Sequence, residues 1–154
     1  MSRHATRLLA ATLILAAATA CSSSSHSSTS NASPSPTGKL AAEWTPKLKA
    51  ATEADTGICN QAGDKACAGH LTDIALVVTD LEDAIGDAGG KAAYPKTTAE
   101  LAKVDKAVDA YTLHECLDDP NASIEGSPCP DDARTIITGG EALQLALAAD
   151  EAAG

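Results

Sequence analysis

Residues 67–85 read Cys-Ala-Gly-His-Leu-Thr-Asp-Ile-Ala-Leu-Val-Val-Thr-Asp-Leu-Glu-Asp-Ala-Ile, and they predict the clearest helix of the chain. Its apolar residues recur at alternating steps of four and three: Cys67, Leu71, Ile74, Val78, Leu81 and Ile85. This spacing forms a seam that is typical of a helix packed lengthwise against other helices. Asp64 stands where it can cap the start of the helix, and Gly86 with Gly89-Gly90 ends it.

A first helix precedes this seam. Its apolar face comes from residues three or four positions apart: Leu40, Trp44, Leu48 and Ala51. Thr45-Pro46 falls within this pattern and also forms a good N-cap and N1 pair. The helix is therefore expected either to kink at Pro46 or to begin there. The turn formers Asp55-Thr56-Gly57 end it.

Two helices follow the seam. The third is predicted to open with the capping box Thr97-Thr98-Ala99-Glu100 and to stop near Cys116. The fourth opens at Cys129-Pro130-Asp131-Asp132, where two acids face the positive end of the helix dipole. Their apolar residues recur at helical spacing: Leu101, Val104, Val108 and Tyr111, then Ile136, Leu143 and Leu147. Gly139-Gly140 indicates close backbone contact or a break in the fourth helix.

The composition favours an all-α fold. The chain has one Trp, two Tyr and no Phe, so its core must be aliphatic, and its many alanines favour helix. β-Branched and aromatic residues are too scattered to indicate several strands. Four helices with short connections predict an up-down-up-down four-helix bundle over residues 38–154. In that topology all four cysteines of the bundle lie at one end.

The first 21 residues show the succession of segments that is typical of an export signal. A positive start is followed by an uncharged apolar run over 8–19, and small residues lead directly into Cys21. This order resembles the signal peptide of bacterial lipoproteins. The resemblance implies that residues 1–20 are removed and that Cys21 carries a lipid, which anchors the chain at the extracytoplasmic face of the cell membrane. The remainder resembles no family of known function.

Residues 22–37 are rich in Ser and Pro and contain no aliphatic residue larger than Ala. Such a segment cannot bury a core, so residues 21–37 are predicted to form a disordered tether behind the lipid. A flexible chain of this length reaches roughly 20–25 Å, enough to hold a domain off the membrane.

The charge of the chain argues against nucleic acid as a partner. The whole chain has 11 Lys and Arg against 21 Asp and Glu, a net charge of −10. Removal of the signal takes Arg3 and Arg7 but no acid, which leaves nine basic residues against 21 acidic ones and a net charge of −12. Such a surface repels phosphate groups, so the membrane link is expected through the lipid alone.

Once Cys21 carries lipid, four cysteines remain, and an even count in an exported domain indicates disulfides. Three pairings are possible. Antiparallel neighbouring helices favour two short loops, closed by Cys59–Cys67 and Cys116–Cys129. Each is expected to contribute on the order of 2–3 kcal/mol of stability.

Metal binding is the alternative use of this end of the bundle. His70 and His114 fall near the four cysteines, and zinc uses such ligands. The spacing of Cys59 and Cys67 is too long for a usual zinc pair, so no metal or other cofactor is expected. Each histidine is better explained as a partly exposed residue near a helix end.

Two sets of oxygen-bearing side chains could hold a cation but are better explained as solvated surface. They are Asp80, Asp83 and Asp87, and the loop residues Asp118, Asp119, Asn121 and Glu125.

No catalytic constellation is found in the sequence, so a non-enzymatic role is expected. The first hypothesis is a cell-surface lipoprotein whose helical surface binds a protein or an envelope component. The alternative is a lipoprotein that binds a small ligand or a metal at the end of the bundle where the cysteines and histidines lie.

Overall fold

The computed structural model describes residues 39–53 and 57–154. The predicted signal peptide (1–20), the lipid anchor at Cys21 and the tether (21–37) lie outside the described residues and stay predictions. Four helices and no strand form within the described part: α1 (Ala41–Thr52), α2 (Lys65–Asp87), α3 (Pro95–Leu113) and α4 (Cys129–Glu151). The all-α class is confirmed.

Two helices begin where α4 ends. The backbone N–H of Ala41, at the start of α1, donates to Glu151 Oε1 at 2.9 Å. The backbone N–H of Thr97, in the first turn of α3, donates to Asp150 Oδ2 at 2.8 Å. Both helices therefore run antiparallel to α4. We call this region, with Asp150 and Glu151 at its centre, the carboxylate end.

The opposite end holds both disulfides, and we call it the cysteine end. It consists of the loop residues 57–64 before α2 and the loop 114–128 between α3 and α4. The backbone N–H of Asp118 in the second loop donates to the carbonyl of Gly63 in the first, at 2.9 Å. The start of α2 thus meets the end of α3, which completes and confirms the up-down-up-down bundle.

Apolar residues predicted to face the core do so. The residues of the α2 seam are between 0% and 4% exposed, and the seam residues of the other helices are buried beside them, except Val108, Leu40 and Ala51, which are partly buried. The helices do not share contact equally. α3 packs most extensively on α4, whereas α2 meets α3 over a much smaller surface. Among helices consecutive in the chain, α2 and α3 therefore have the sparsest contact.

Helix α1 begins upstream of Pro46 and continues past it, so the prediction that it could begin at Pro46 is wrong. A proline inside a helix removes the N–H that would bond to the carbonyl four residues earlier, here that of Ala42. Ala42 is exposed, so water can satisfy this carbonyl. Burial of Trp44 and Leu48 holds the helix in place across the proline.

Helix α4 runs unbroken through Gly139-Gly140, and both glycines are buried. A Cβ on Gly139 would lie 2.5 Å from Val104 Cγ2, and one on Gly140 would lie 2.8 Å from Thr52 Cγ2. The glycines therefore mark close approach of α3 and α1 to α4, which was one of the two alternatives that the sequence left open.

The start of α3 differs from the prediction. The helix begins at Pro95, and Thr97 lies inside its first turn, so Thr97-Thr98-Ala99-Glu100 is not a capping box. The buried carboxylate of Asp150 takes the role of the cap instead. It accepts hydrogen bonds from the N–H groups of Lys96 and Thr97 and from the Thr97 hydroxyl.

Helix α2 begins directly after Asp64, as expected, although the Asp64 side chain makes no capping hydrogen bond. It ends one residue beyond Gly86, at Asp87. Gly89 adopts a φ of 117°, and the N–H of Gly90 donates to the carbonyl of Ile85 at 2.8 Å. This is the Schellman arrangement, in which glycine avoids the steric cost of a left-handed residue.

Both predicted disulfides are confirmed. Cys59 pairs with Cys67 across eight positions, and Cys116 pairs with Cys129 across 13. The first links the loop before α2 to the first turn of α2. The second links the end of α3 to the start of α4. Each therefore joins two consecutive elements at the cysteine end.

Candidate functional site: a groove at the cysteine end

An open apolar groove of about 350 Å³ lies between α2 and α3 near the cysteine end. Most of its lining comes from these two helices and from the residues that follow α3, and α4 contributes the buried Ile136. The lining residues are Ala68, Leu71, Thr72, Ala75, Val108, Tyr111, Thr112, Glu115, Cys116, Leu117 and Ile136. One of them, Glu115, is charged.

The spacing of small residues on α2 explains why the groove is open. Ala68 and Ala75 are seven positions apart, so they lie on the same side of the helix two turns from each other. They line the groove beside Leu71, a member of the α2 seam. Facing them on α3 are the larger Val108 and Tyr111. The alanine side chains are too short to close the gap between the two helices, and the space remains accessible.

Tyr111 fixes one wall of the groove. Its side chain is buried, and its hydroxyl donates to the backbone carbonyl of Ala62 in the loop before α2. Burial raises the pKa of Tyr111 above its ordinary value because the charged phenolate would lose hydration. The phenol therefore stays neutral at pH 7, and it ties α3 to the loop that carries Cys59.

Two threonines line the groove without offering a free hydroxyl proton. The Thr72 hydroxyl donates to the carbonyl of Ala68 at 2.8 Å, and the Thr112 hydroxyl donates to the carbonyl of Val108 at 3.0 Å. Both bonds run back to the preceding helical turn, as is common for threonine in helices. The side-chain hydroxyls of the groove are thus committed to the backbone.

Glu115 occupies a position that usually holds glycine. α3 ends in a second Schellman arrangement, in which the N–H of Cys116 donates to the carbonyl of Tyr111 and the N–H of Glu115 donates to that of Thr112. Glu115 is the left-handed residue, with a φ of 52°. This conformation costs an L-residue other than glycine roughly 1–2 kcal/mol. Backbone strain of this kind is often found at functional sites.

Beside the groove, His114 bridges α3 and α4. Its Nδ1 lies 2.6 Å from Asp132 Oδ2 in the first turn of α4. The cation of a protonated His114 would face the negative end of the α3 dipole, and Asp132 faces the positive end of the α4 dipole, so both placements are favourable. The pair reinforces the link that Cys116–Cys129 makes between the same helices.

His114, Asp132 and Cys116 also bring three potential metal-ligand atoms within 4.8 Å of one another. The sulfur of Cys116 is bonded to Cys129, however, so it is not a thiolate. Zinc requires the thiolate form of a cysteine ligand. With the disulfide formed, the cluster supplies only a histidine and a carboxylate that are already paired with each other.

His70 does not lie where the sequence suggested. It is only 8% exposed, so it belongs to the buried part of α2, and it is not a partly exposed surface residue. The reason is its register, since it follows Cys67 by three positions and directly precedes Leu71 in the seam. Among the described residues, the cluster of possible ligands around His114 does not include His70. The two candidate histidines therefore do not form one site.

The two acidic sets lie in different surroundings. Asp80, Asp83 and Asp87 are exposed on α2. In the loop, Asp119 Oδ1 accepts a hydrogen bond from the N–H of Asn121 at 2.9 Å, an Asx turn that commits one oxygen to the loop itself.

Farther along α2 and α3, charged side chains replace the apolar lining. Lys91 pairs with Glu82 at 2.9 Å. The pKa of Asp105, an exposed residue of α3, is raised above its ordinary value, mainly because partial desolvation disfavours the charged form and also because Glu82 is near, while Lys91 partly offsets this. The face between α2 and α3 is therefore apolar toward the cysteine end and charged toward the carboxylate end.

Sequence reasoning missed the groove and its residues Thr72, Glu115 and Leu117. One sequence feature could have indicated it. Ala68 and Ala75 form a row of small residues next to the large residues of the seam, and such a row predicts a gap wherever the facing helix does not approach closely. Glu115 had no such indication, because its left-handed backbone depends on where α3 ends.

Across residues 39–53 and 57–154, no helix combines the length and the apolar character needed to cross a bilayer. No protein-family model matches the chain, and neither does any curated protein or solved structure with which it was compared. Function must therefore be inferred from the chemistry of the molecule itself.

Proposed function

We propose that this protein is a non-enzymatic, lipid-anchored module on the extracytoplasmic face of the membrane, and that it binds a small apolar ligand in the groove between α2 and α3. The groove carries this proposal. It develops the alternative function expected from the sequence, which placed a small ligand at the cysteine-bearing end of the bundle.

The dimensions and chemistry of the groove support a small ligand. Its volume of about 350 Å³ falls within the range of roughly 300–1,000 Å³ that is usual for small-molecule sites. Its lining is largely apolar, and two of the lining residues, Tyr111 and Ile136, are buried in the core. A preformed apolar cleft favours ligands with a compact hydrophobic body.

Binding can be measured with N-phenyl-1-naphthylamine, a neutral dye whose fluorescence rises in apolar surroundings. The purified Cys21→Ser full chain is suitable, because it cannot carry a thioether-linked lipid. We expect saturable binding at one site. Ala75→Phe, which places a phenyl ring in the groove, should weaken the affinity at least about tenfold, equivalent to about 1.4 kcal/mol.

The matched control is Ala102→Phe, which makes the same change on the exposed face of α3, outside the groove. It should leave the affinity unchanged. Thermal unfolding of both variants verifies that they fold. An absence of saturable binding, or equal weakening by both variants, would contradict the proposed function.

The lipid anchor requires its own test, because Cys21 lies outside the described residues. The wild-type chain should incorporate radioactive palmitate in a bacterial host, and the Cys21→Ala variant should not. The variant should also leave the membrane fraction. Labelling of both proteins, or of neither, would refute the anchoring part of the proposal without affecting the groove.

A protein partner, the first hypothesis from the sequence, is the second candidate. Three large apolar side chains are exposed near the cysteine end: Leu113 at 80%, Ile124 at 57% and Leu117 at 49%. Exposed apolar residues mark partner surfaces when they form a contiguous patch. Crosslinking on intact cells should then yield a discrete adduct that the Leu113→Ser/Ile124→Ser variant loses and that Ala75→Phe retains.

A further inference from the structure

We infer that the groove selects apolar ligands that carry a cationic or hydrogen-bond-donating head, and that Glu115 is the residue that recognises this head. This inference rests on the proposed function and names the class of ligand. It excludes anionic amphiphiles such as carboxylates as preferred ligands.

The first support is the hydrogen-bonding state of the groove. The hydroxyl protons of Thr72, Tyr111 and Thr112 are all donated to backbone carbonyls. The lining therefore presents hydroxyl oxygens and one carboxylate, which are acceptors, and no free side-chain donor. A ligand head that only accepts hydrogen bonds finds no side-chain partner there, whereas a head that donates them does.

The second support is the electrostatics of Glu115. It is the one charged residue of the lining, and it forms no ion pair or side-chain hydrogen bond with another described residue. The predicted mature chain has a net charge of −12, so the surrounding field also favours cations. A carboxylate on an apolar groove pairs readily with an ammonium or guanidinium head.

The third support is independent of charge. Glu115 stands in the left-handed position of the α3 terminus, where glycine would remove the backbone strain. At the other Schellman arrangement of this chain, the same position is occupied by Gly89. Glu115 thus lines the groove, exposed to solvent, in a backbone conformation that costs stability.

The test uses three eight-carbon ligands that differ only in the head group: octylammonium, octanol and octanoate. Each displaces N-phenyl-1-naphthylamine from the Cys21→Ser full chain at pH 7. We expect octylammonium to bind about three- to fivefold more tightly than octanol, the size of a partly exposed ion pair, and octanoate to bind most weakly. Added salt at 0.5 M should reduce the preference, because it screens exposed charges.

Glu115→Gln keeps the shape of the side chain and removes its charge. It should bring the affinity for octylammonium down to that for octanol and leave octanol binding unchanged. Glu125→Gln is the matched control, since it removes one exposed charge from the same loop but does not line the groove. It should retain the preference for the cation.

The outcomes separate this inference from the proposed function. Equal binding of the three ligands, or a preference for octanoate, overturns the inference and leaves the apolar groove as the binding site. An equal loss of cation preference in Glu115→Gln and Glu125→Gln also overturns it, because a general surface field would then suffice. If the dye binds saturably but none of the three ligands displaces it, the inference fails and the proposed function stands; if the dye itself does not bind, both fail.

Discussion

The two ends of the bundle are closed in different ways. At the carboxylate end, the last turn of α4 caps two other helices, Asp150 at the start of α3 and Glu151 at the start of α1. No cross-link is present there within the described residues. At the cysteine end, irregular loops separate the helices, two disulfides join them, and two residues, Glu115 and Asp118, have left-handed backbones.

This difference shows how a bundle with few aromatic residues can combine stability with an open site. Where helix ends meet directly, hydrogen bonds to a buried carboxylate satisfy the free N–H groups of the first turn. Where loops intervene, covalent links restrict the unfolded chain and so allow looser packing in the folded one. The groove lies at the second kind of end. Four pairs of variants would test this comparison.

Removal of the Cys116–Cys129 disulfide should have the largest effect. Cys116→Ala/Cys129→Ala should lower the free energy of unfolding by about 3 kcal/mol, because the bridge closes a loop of 13 positions. Urea unfolding measures this loss. Cys59→Ala/Cys67→Ala, whose bridge spans eight positions, should cost slightly less. Dye binding should fall more in the first variant, since Cys116 lines the groove.

Asp150→Ala should lower the free energy of unfolding by about 2–3 kcal/mol, because it leaves the Thr97 hydroxyl and two backbone N–H groups without their acceptor. Amide exchange should accelerate at Lys96 and Thr97. Glu151→Ala, which removes a single, partly exposed acceptor, should cost less than about 1 kcal/mol. Equal losses in the two variants would mean that Asp150 is not the main cap of the carboxylate end.

Gly139→Ala should cost about 1 kcal/mol net. Alanine favours helix by about 1 kcal/mol over glycine, but its Cβ would meet the buried, stiff Val104 side chain at 2.5 Å, and overpacking costs about 1–3 kcal/mol. Gly86→Ala is the control, because nothing lies within 4 Å of its Cβ. It should raise stability in the same urea assay. A gain in both variants would show that α3 and α4 can separate without cost.

Glu115→Gly should produce the smallest change, and it is a gain in stability. Glycine relieves the left-handed strain but increases the entropy of the unfolded chain, so we expect a net gain of about 0.5–1 kcal/mol. The cation preference of the groove should disappear at the same time. Glu125→Gly, at a position without a positive φ, should give no gain in thermal stability. Loss of stability in Glu115→Gly would contradict the strain assigned to the cysteine end.

The candidate site could be predicted only in part. The cysteine pairs followed from the sequence, because antiparallel neighbours and short loops bring Cys59 to Cys67 and Cys116 to Cys129. His114 was correctly placed at that end, whereas His70 was not expected to be buried. The groove itself depends on the distance between α2 and α3, which cannot be predicted from the sequence of either helix alone.

The four helices and their apolar faces could be predicted from the sequence alone, and the sequence favoured the pairing of the cysteines that the structure has. Each depends on periodicity along a single helix or on the length of a single loop, and both are local properties. Tertiary packing sets which groups cap α1 and α3, since Ala41 and Thr97 find their partners 110 and 53 positions away. It also decided the close approach at Gly139 and the opening between α2 and α3. These features depend on helix packing, where the fit of several side chains at once sets the distance between two axes.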